Sequence, residues 1–115
     1  MNWEHVLDKL ETGELRAAEP HEDHWVANVE VKEAILEAFK NGENVNYGGI
    51  YDGFVDKNNL PPRKFDASDR VRLVPGGSSV RRGAYIAEGV IIMPPAYVNI
   101  GGYVDSGSMI DSHAL

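Results

Sequence analysis

The sequence predicts an α+β N-terminal region that runs into about two coils of a left-handed parallel β-helix. Three observations carry this. Apolar residues recur at helical spacing over the first forty positions; Gly-Gly and Pro-Pro pairs then interrupt the pattern; and from Val80 the chain divides into consecutive six-residue units.

Trp3, Val6, Leu7 and Leu10 fall at i, i+3, i+4 and i+7, with Asn2 in the N-cap position and Gly13 where a helix would stop. Leu15 to Ala18 and Trp25 to Ala27 are short enough to pair as two strands around Pro20 to His24. Asn28 is placed to cap a second helix, whose Val31, Ile35, Ala38 and Phe39 share one face and which should end at Asn41-Gly42. From Asn41 to Ser79 the chain is rich in loop signals: Gly48-Gly49, Pro61-Pro62 and Gly76-Gly77. Short strands are expected around Tyr47 to Val55 and Val71 to Val74, and the division falls between residues 1–79 and 80–115.

The six units are VRRGAY, IAEGVI, IMPPAY, VNIGGY, VDSGSM and IDSHAL. Their first residue is Val80, Ile86, Ile92, Val98, Val104 or Ile110, branched and aliphatic every time, and their fifth is mostly small. Stacked aliphatics inside and small residues at a crowded corner are what a triangular coil needs, with three units closing one turn. Two turns are few for a solenoid, which normally hides its last coil under a cap. The last unit ends at Leu115, so the expectation is either that the sequence is a fragment or that something else covers its open end.

Lys and Arg number 11 against 18 Asp and Glu, a formal charge of −7. That sign opposes binding to nucleic acid and to anionic lipid. Residues 1–40 hold ten of the acids and four of the bases. No run of about 18 apolar residues is present to span a bilayer, the N-terminus lacks a secretory layout, and cysteine is absent. A cytoplasmic location is the expectation.

Val80-Arg-Arg-Gly-Ala-Tyr-Ile-Ala, followed by Met93-Pro-Pro-Ala-Tyr-Val-Asn-Ile-Gly-Gly-Tyr-Val-Asp-Ser-Gly-Ser-Met-Ile-Asp111, resembles the first solenoid coils of the tetrahydrodipicolinate N-succinyltransferases. These are hexapeptide-repeat acyltransferases of the diaminopimelate route to lysine. The resemblance extends upstream through Phe54-Val-Asp-Lys57, Arg72-Leu-Val-Pro75 and the Gly13 to Glu19 segment. It implies transfer of succinyl from succinyl-coenzyme A to a cyclic imino dicarboxylate, in a homotrimer with active sites between solenoids. The small-molecule partners are then a dicarboxylate and an acyl-coenzyme A, with no bound cofactor.

By the same resemblance, Arg72 is a substrate-binding arginine and Asp111 the catalytic aspartate. Arginine suits bidentate capture of a carboxylate, and a carboxylate can orient or deprotonate the attacking nitrogen. From the residues alone a second reading stands beside this one. Asp105 and Asp111 both occupy the second position of a hexad, where short polar residues often bond the turn backbone. Arg81 and Arg82 are either further carboxylate contacts or solvated arginines on the coil flank. Tyr85, Tyr97 and Tyr103 share the sixth position and should pack on the flank or on a neighbouring subunit.

The chain departs from that family in several ways. Members continue through many more coils, to a later glutamate opposite the aspartate and a C-terminal segment that holds coenzyme A. The N-terminal helical region is shorter here, Gly76-Gly-Ser-Ser79 is one residue longer, and His113 stands where many members have tryptophan. Half an active site, and little or no turnover by these 115 residues alone, is the expectation. Three other readings remain: another hexapeptide acyltransferase with an acetyl donor; a non-catalytic assembly module; or a zinc carbonic anhydrase. The last is disfavoured because no second histidine joins His113 within the repeats.

Overall fold

The computed structural model describes residues 2–114. Leu115, which completes the sixth hexad, lies outside the described residues.

Helix α1 (Trp3–Thr12) starts where expected, because the Asn2 side chain accepts the otherwise unpaired N–H groups of Glu4 and His5. It stops at Gly13, which adopts a left-handed φ of 84° and donates its N–H to the Leu10 carbonyl. Val6, Leu7 and Leu10 are buried. Helix α2 (Val29–Asn41) is capped by Asn28, with Val31, Ala34 and Ala38 buried against α1 and Ile35 and Phe39 at the margin of the same core.

The hairpin between the helices is shifted from its expected position. Strands β1 (Ala18–His21) and β2 (His24–Ala27) are joined by a two-residue turn at Glu22-Asp23, with Glu22 at φ 57°. Leu15 and Ala17 are drawn onto the helical core instead, so the first strand begins later and takes in Pro20. Counting outward from the turn, the Pro20–Trp25 pair is a non-hydrogen-bonded one, so the missing proline N–H leaves the ladder intact.

Strands β3 (Asn44–Asn46) and β4 (Val55–Lys57) pair antiparallel and flank the segment expected to be extended. Gly48-Gly49 breaks that segment, and Gly49–Tyr51 forms a 3-10 turn. A second 3-10 turn, Ala67–Asp69, is capped reciprocally by Asp66 and Asp69.

Seven two-residue strands follow: β5 (Arg72–Leu73), β6 (Ser79–Val80), β7 (Tyr85–Ile86), β8 (Ile91–Ile92), β9 (Tyr97–Val98), β10 (Tyr103–Val104) and β11 (Met109–Ile110). From β6 onward each strand ends on the first residue of a hexad. All their pairings are parallel: β5–β8–β11 in one column, β6–β9 in a second and β7–β10 in a third. Ser79 pairs with Tyr97, Tyr85 with Tyr103 and Ile91 with Met109, each 18 residues apart (97 − 79, 103 − 85, 109 − 91), which is three hexads. Arg72 pairs with Ile91 at 91 − 72 = 19, and since every later strand start is six residues from the last, the extra residue lies between Leu73 and Ser79.

The hexad pattern becomes a core directly. Val80, Ile86, Ile92 and Val98 are buried, as are Ala84, Val90 and Ala96 at the fifth position, with Val104 and Ile110 partly covered. This cluster and the helical one meet at α1 and β7: Gly83 sits against Leu7 and Ile100, and Gly13 lies under the Tyr85 ring. Glu11 accepts the Gly83 N–H at 2.8 Å, and Ile100 reaches into the helical core.

Replacing the fully buried Ile92 by Ala should cost about 2–5 kcal/mol through lost transfer energy and the cavity left behind. Ile50→Ala, at a site 86% exposed, should stay within about 0.5 kcal/mol. Urea unfolding midpoints of the two variants check both.

Candidate functional site

One flat side of the coil, the β5–β8–β11 column, carries both residues singled out for acceptor chemistry. Arg72 opens β5; its N–H donates to the Val90 carbonyl at 3.0 Å, so its backbone is held while its side chain is exposed. Among the described residues its guanidinium has no hydrogen-bond or ion-pair partner. Asp111 follows β11 directly and is exposed. Its Oδ1 accepts the Ser112 N–H at 2.7 Å, leaving Oδ2 without a partner among the described residues. Arg72 is aligned with Ile91 and Met109 along the column. Asp111 therefore lies two strands across and two residues along from it, about 10 Å by about 7 Å at ordinary strand spacing and rise. An extended arginine and a short carboxylate at that separation leave room for a small dicarboxylate between them.

The bond Asp111 makes to its own turn is not particular to it. Asn99 accepts the Ile100 N–H at 2.9 Å and Asp105 the Ser106 N–H at 2.8 Å, so all three second-position residues shape their turns alike. What separates Asp111 from Asp105 is the column: Asp105 follows β10 in the column shared with β7, whereas Asp111 shares its column with Arg72.

Arg81 and Arg82 are elsewhere. Arg81 donates from Nη2 to Asp56 Oδ2 at 2.6 Å and from Nε to the Tyr97 hydroxyl at 2.9 Å, and its guanidinium lies 5.3 Å from the Phe39 ring centre. Arg82 donates to the Asn59 carbonyl at 3.0 Å, lies 3.7 Å from Asp8 and covers the Trp3 ring. Both face the upstream region rather than water, because acidic side chains and carbonyls of that region reach the coil at this corner. The reading of solvated flank arginines is therefore corrected.

Two arrangements have no counterpart in the sequence reading. Arg16 stacks 3.8 Å over the Tyr103 ring, and Tyr103 in turn lies 4.5 Å from Tyr85, so two of the three flank tyrosines pack within the chain. A cleft of about 530 Å³ lies between the β3–β4 hairpin and the Gly77 to Ser79 turn, walled by Tyr47, Tyr51, Phe54 and Arg81. Burial, and then the nearby Asp56 carboxylate, raise the Tyr47 pKa above its ordinary value, and its hydroxyl donates to the Lys57 carbonyl at 2.7 Å. The only sequence signal for this cleft was the density of aromatics around a Gly-Gly pair. His113, at φ 68°, donates its N–H to the Pro95 carbonyl and borders a groove of about 300 Å³. Among the described residues no group of three or more His, Cys, Asp or Glu is arranged to hold a metal ion.

With this geometry in view, the likeness to known proteins is informative. Residues 3–40 match the family described as "Tetrahydrodipicolinate N-succinyltransferase N-terminal". A 2,3,4,5-tetrahydropyridine-2,6-dicarboxylate N-succinyltransferase of Sodalis glossinidius is 39% identical over 115 residues, covering 95% of this chain and 40% of the relative. Proteins of the same name from Caulobacter vibrioides and Paramagnetospirillum magneticum are 40% and 41% identical, covering 93% and 96% of this chain and 41% of each relative. The chain spans about two fifths of the length of the curated relatives it matches.

The two arginine environments predict opposite behaviour. Arg81→Met, which removes the charged partner of Asp56 and one of the two hydrogen bonds of the Tyr97 hydroxyl, should lower stability by about 1–3 kcal/mol. Arg72→Met should leave it within about 0.5 kcal/mol. Equal urea midpoints for the two variants would contradict the assignment of Arg81 as a structural tie.

Proposed function

We propose that this chain, similar over nearly its whole length to the N-terminal part of the tetrahydrodipicolinate N-succinyltransferases, supplies acceptor-side residues of such an enzyme. The reaction is transfer of succinyl from succinyl-coenzyme A to the nitrogen of tetrahydrodipicolinate, in the diaminopimelate route to lysine. Water opens the ring, the freed amine attacks the thioester carbonyl, and coenzyme A leaves as its thiol. Succinyl-coenzyme A is a co-substrate, and the reading needs no resident cofactor. The coil is taken as a left-handed β-helix, the assembly as a homotrimer and the location as cytoplasmic.

In this reading Arg72 pairs with one acceptor carboxylate, where a planar guanidinium offers two parallel donors. Asp111 orients the nitrogen and takes its proton as the new bond forms. Holding both reactants in place supplies much of the rate, because attack becomes effectively intramolecular. The observation that carries the proposal is the pairing of Arg72 and Asp111 on one coil side, in a chain about 40% identical to succinyltransferases. A non-catalytic assembly module is the second reading, favoured by the turn bond that Asp111 shares with Asn99 and Asp105. Neither role is assigned to Arg81 or Arg82, because Arg81 Nε and Nη2 and Arg82 Nη1 already donate to groups of this chain.

In a full-length relative, replacing the counterpart of Asp111 by Asn should lower kcat by about 10²–10⁴ with little change in acceptor KM, as loss of a general base does. Replacing the counterpart of Arg72 by Ala should act mainly on acceptor KM. Retained activity in the Asp variant would return Asp111 to its turn. Assayed alone with succinyl-coenzyme A, the 115-residue polypeptide should show little or no turnover. Turnover close to that of a full-length relative would overturn that expectation.

A further inference from the structure

The tip of the β1–β2 hairpin brings together two histidines that the proposed acceptor chemistry does not use. His21 and His24 are register partners that close the two-residue turn, so their side chains leave the same face of the ladder. Their ring centroids are 5.6 Å apart with planes at 80°. Both residues are exposed. Asp23 Oδ1 lies 3.1 Å from His24 Nδ1, which orients that ring and turns Nε2 outward.

We propose that His21 and His24 form a bidentate site for a borderline divalent transition-metal ion, zinc being the reference case. The spacing fits. A zinc–nitrogen bond of about 2.0–2.1 Å, added to about 1.2 Å from ring nitrogen to ring centre, puts each centroid about 3.2 Å from the ion, and a tetrahedral angle then separates the centroids by about 5.2 Å. The observed centroid spacing of 5.6 Å is close to that value, and the two exposed rings, now edge to face, turn about their side-chain torsions to aim one nitrogen each at the ion. The Asp23 carboxylate on the other nitrogen of His24 is the kind of outer partner that fixes ring orientation in metal sites. No third ligand side chain is arranged with the pair among the described residues, so water completes the coordination.

The site also has a structural consequence. A lone two-stranded hairpin is marginal in water, and every residue of β1 and β2 is exposed. An ion shared by residues on both strands would clamp the ladder at its turn, since binding the folded form alone stabilises it. Because imidazole must be neutral to bind, protons compete with the ion and acid weakens binding.

The test is a zinc chloride titration of the untagged 115-residue chain at pH 7.5, followed by calorimetry and by the histidine ring proton resonances. The expected result is one equivalent bound, with His21 and His24 signals moving together and those of His5 and His113 unmoved. His21→Ala and His24→Ala should each weaken binding about 10-fold or more, as loss of one arm of a chelate does, while His5→Ala leaves it unchanged. At pH 5.5 binding should be weaker. Unaltered affinity in either hairpin variant, shifts confined to His5 or His113, or no binding up to millimolar zinc would each overturn the proposal. Circular dichroism of the variants confirms that the fold is kept, since neither ring is part of a core cluster.

Discussion

The return of the chain to the same column after three hexads is the constraint on which the rest of the molecule depends. A strand of two residues has one inward and one outward side chain, so each strand contributes a single interior residue, and that residue must be apolar every time. Val80, Ile86, Ile92 and Val98, with the small fifth-position residues beside them, are buried as a result. The same constraint explains why Arg72 and Asp111 share a face although 39 residues separate them (111 − 72): β5, β8 and β11 are stacked, and position along the chain is converted into height along the coil. The extra residue in the first coil does not disturb this, because it is absorbed before Ser79 in a turn of Gly76 and Gly77, both at positive φ.

Charge distribution follows a related logic. The first forty residues carry the acidic excess, and several of those acids are placed against arginines of the middle and the coil. Glu11 lies 3.7 Å from Arg63, Asp8 the same distance from Arg82, and further along Asp56 meets Arg81 at 2.6 Å. Each pair joins the coil, or the segment leading into it, to an upstream element. The arginines also lie over aromatic rings, Arg82 over Trp3, Arg63 over Phe65 and Arg81 over Phe39, so their stems and planes contribute packing as well as charge. Arg72, exposed and without an ion-pair partner among the described residues, stands apart from this network.

Local rules made much of this legible in the sequence. Asn2, Gly13 and Asn28 cap helices where capping chemistry places them, and the hexads from Val80 to Ile110 lie on strands at the interval their period demands. Legibility failed where distant partners decide. The hairpin register shifted because Leu15 and Ala17 were claimed by the helical core, a competition that strand propensity does not register. The roles of Arg81 and Arg82 were hidden because their partners Asp56 and Asn59 are 25 and 23 residues away, in a three-residue strand and the turn after it, with no periodicity to mark them. For Asp111 the local signal was ambiguous in kind: an aspartate that bonds its own turn and one that faces a substrate carry the same sequence, and its place in the column of Arg72 was not legible from either.

The bond from Glu11 to the Gly83 amide spans 72 positions and crosses the meeting place of the two cores. Gly83, at φ 93°, has Ile100 and Leu7 so close that any side chain would collide with them. Helix and coil are thus keyed to each other through one amide and one missing methyl group. Recombination among related proteins is limited accordingly. A crossover between Leu10 and Gly83 would separate a lock from its key, whereas one between Val104 and Met109 would leave both on the same parent.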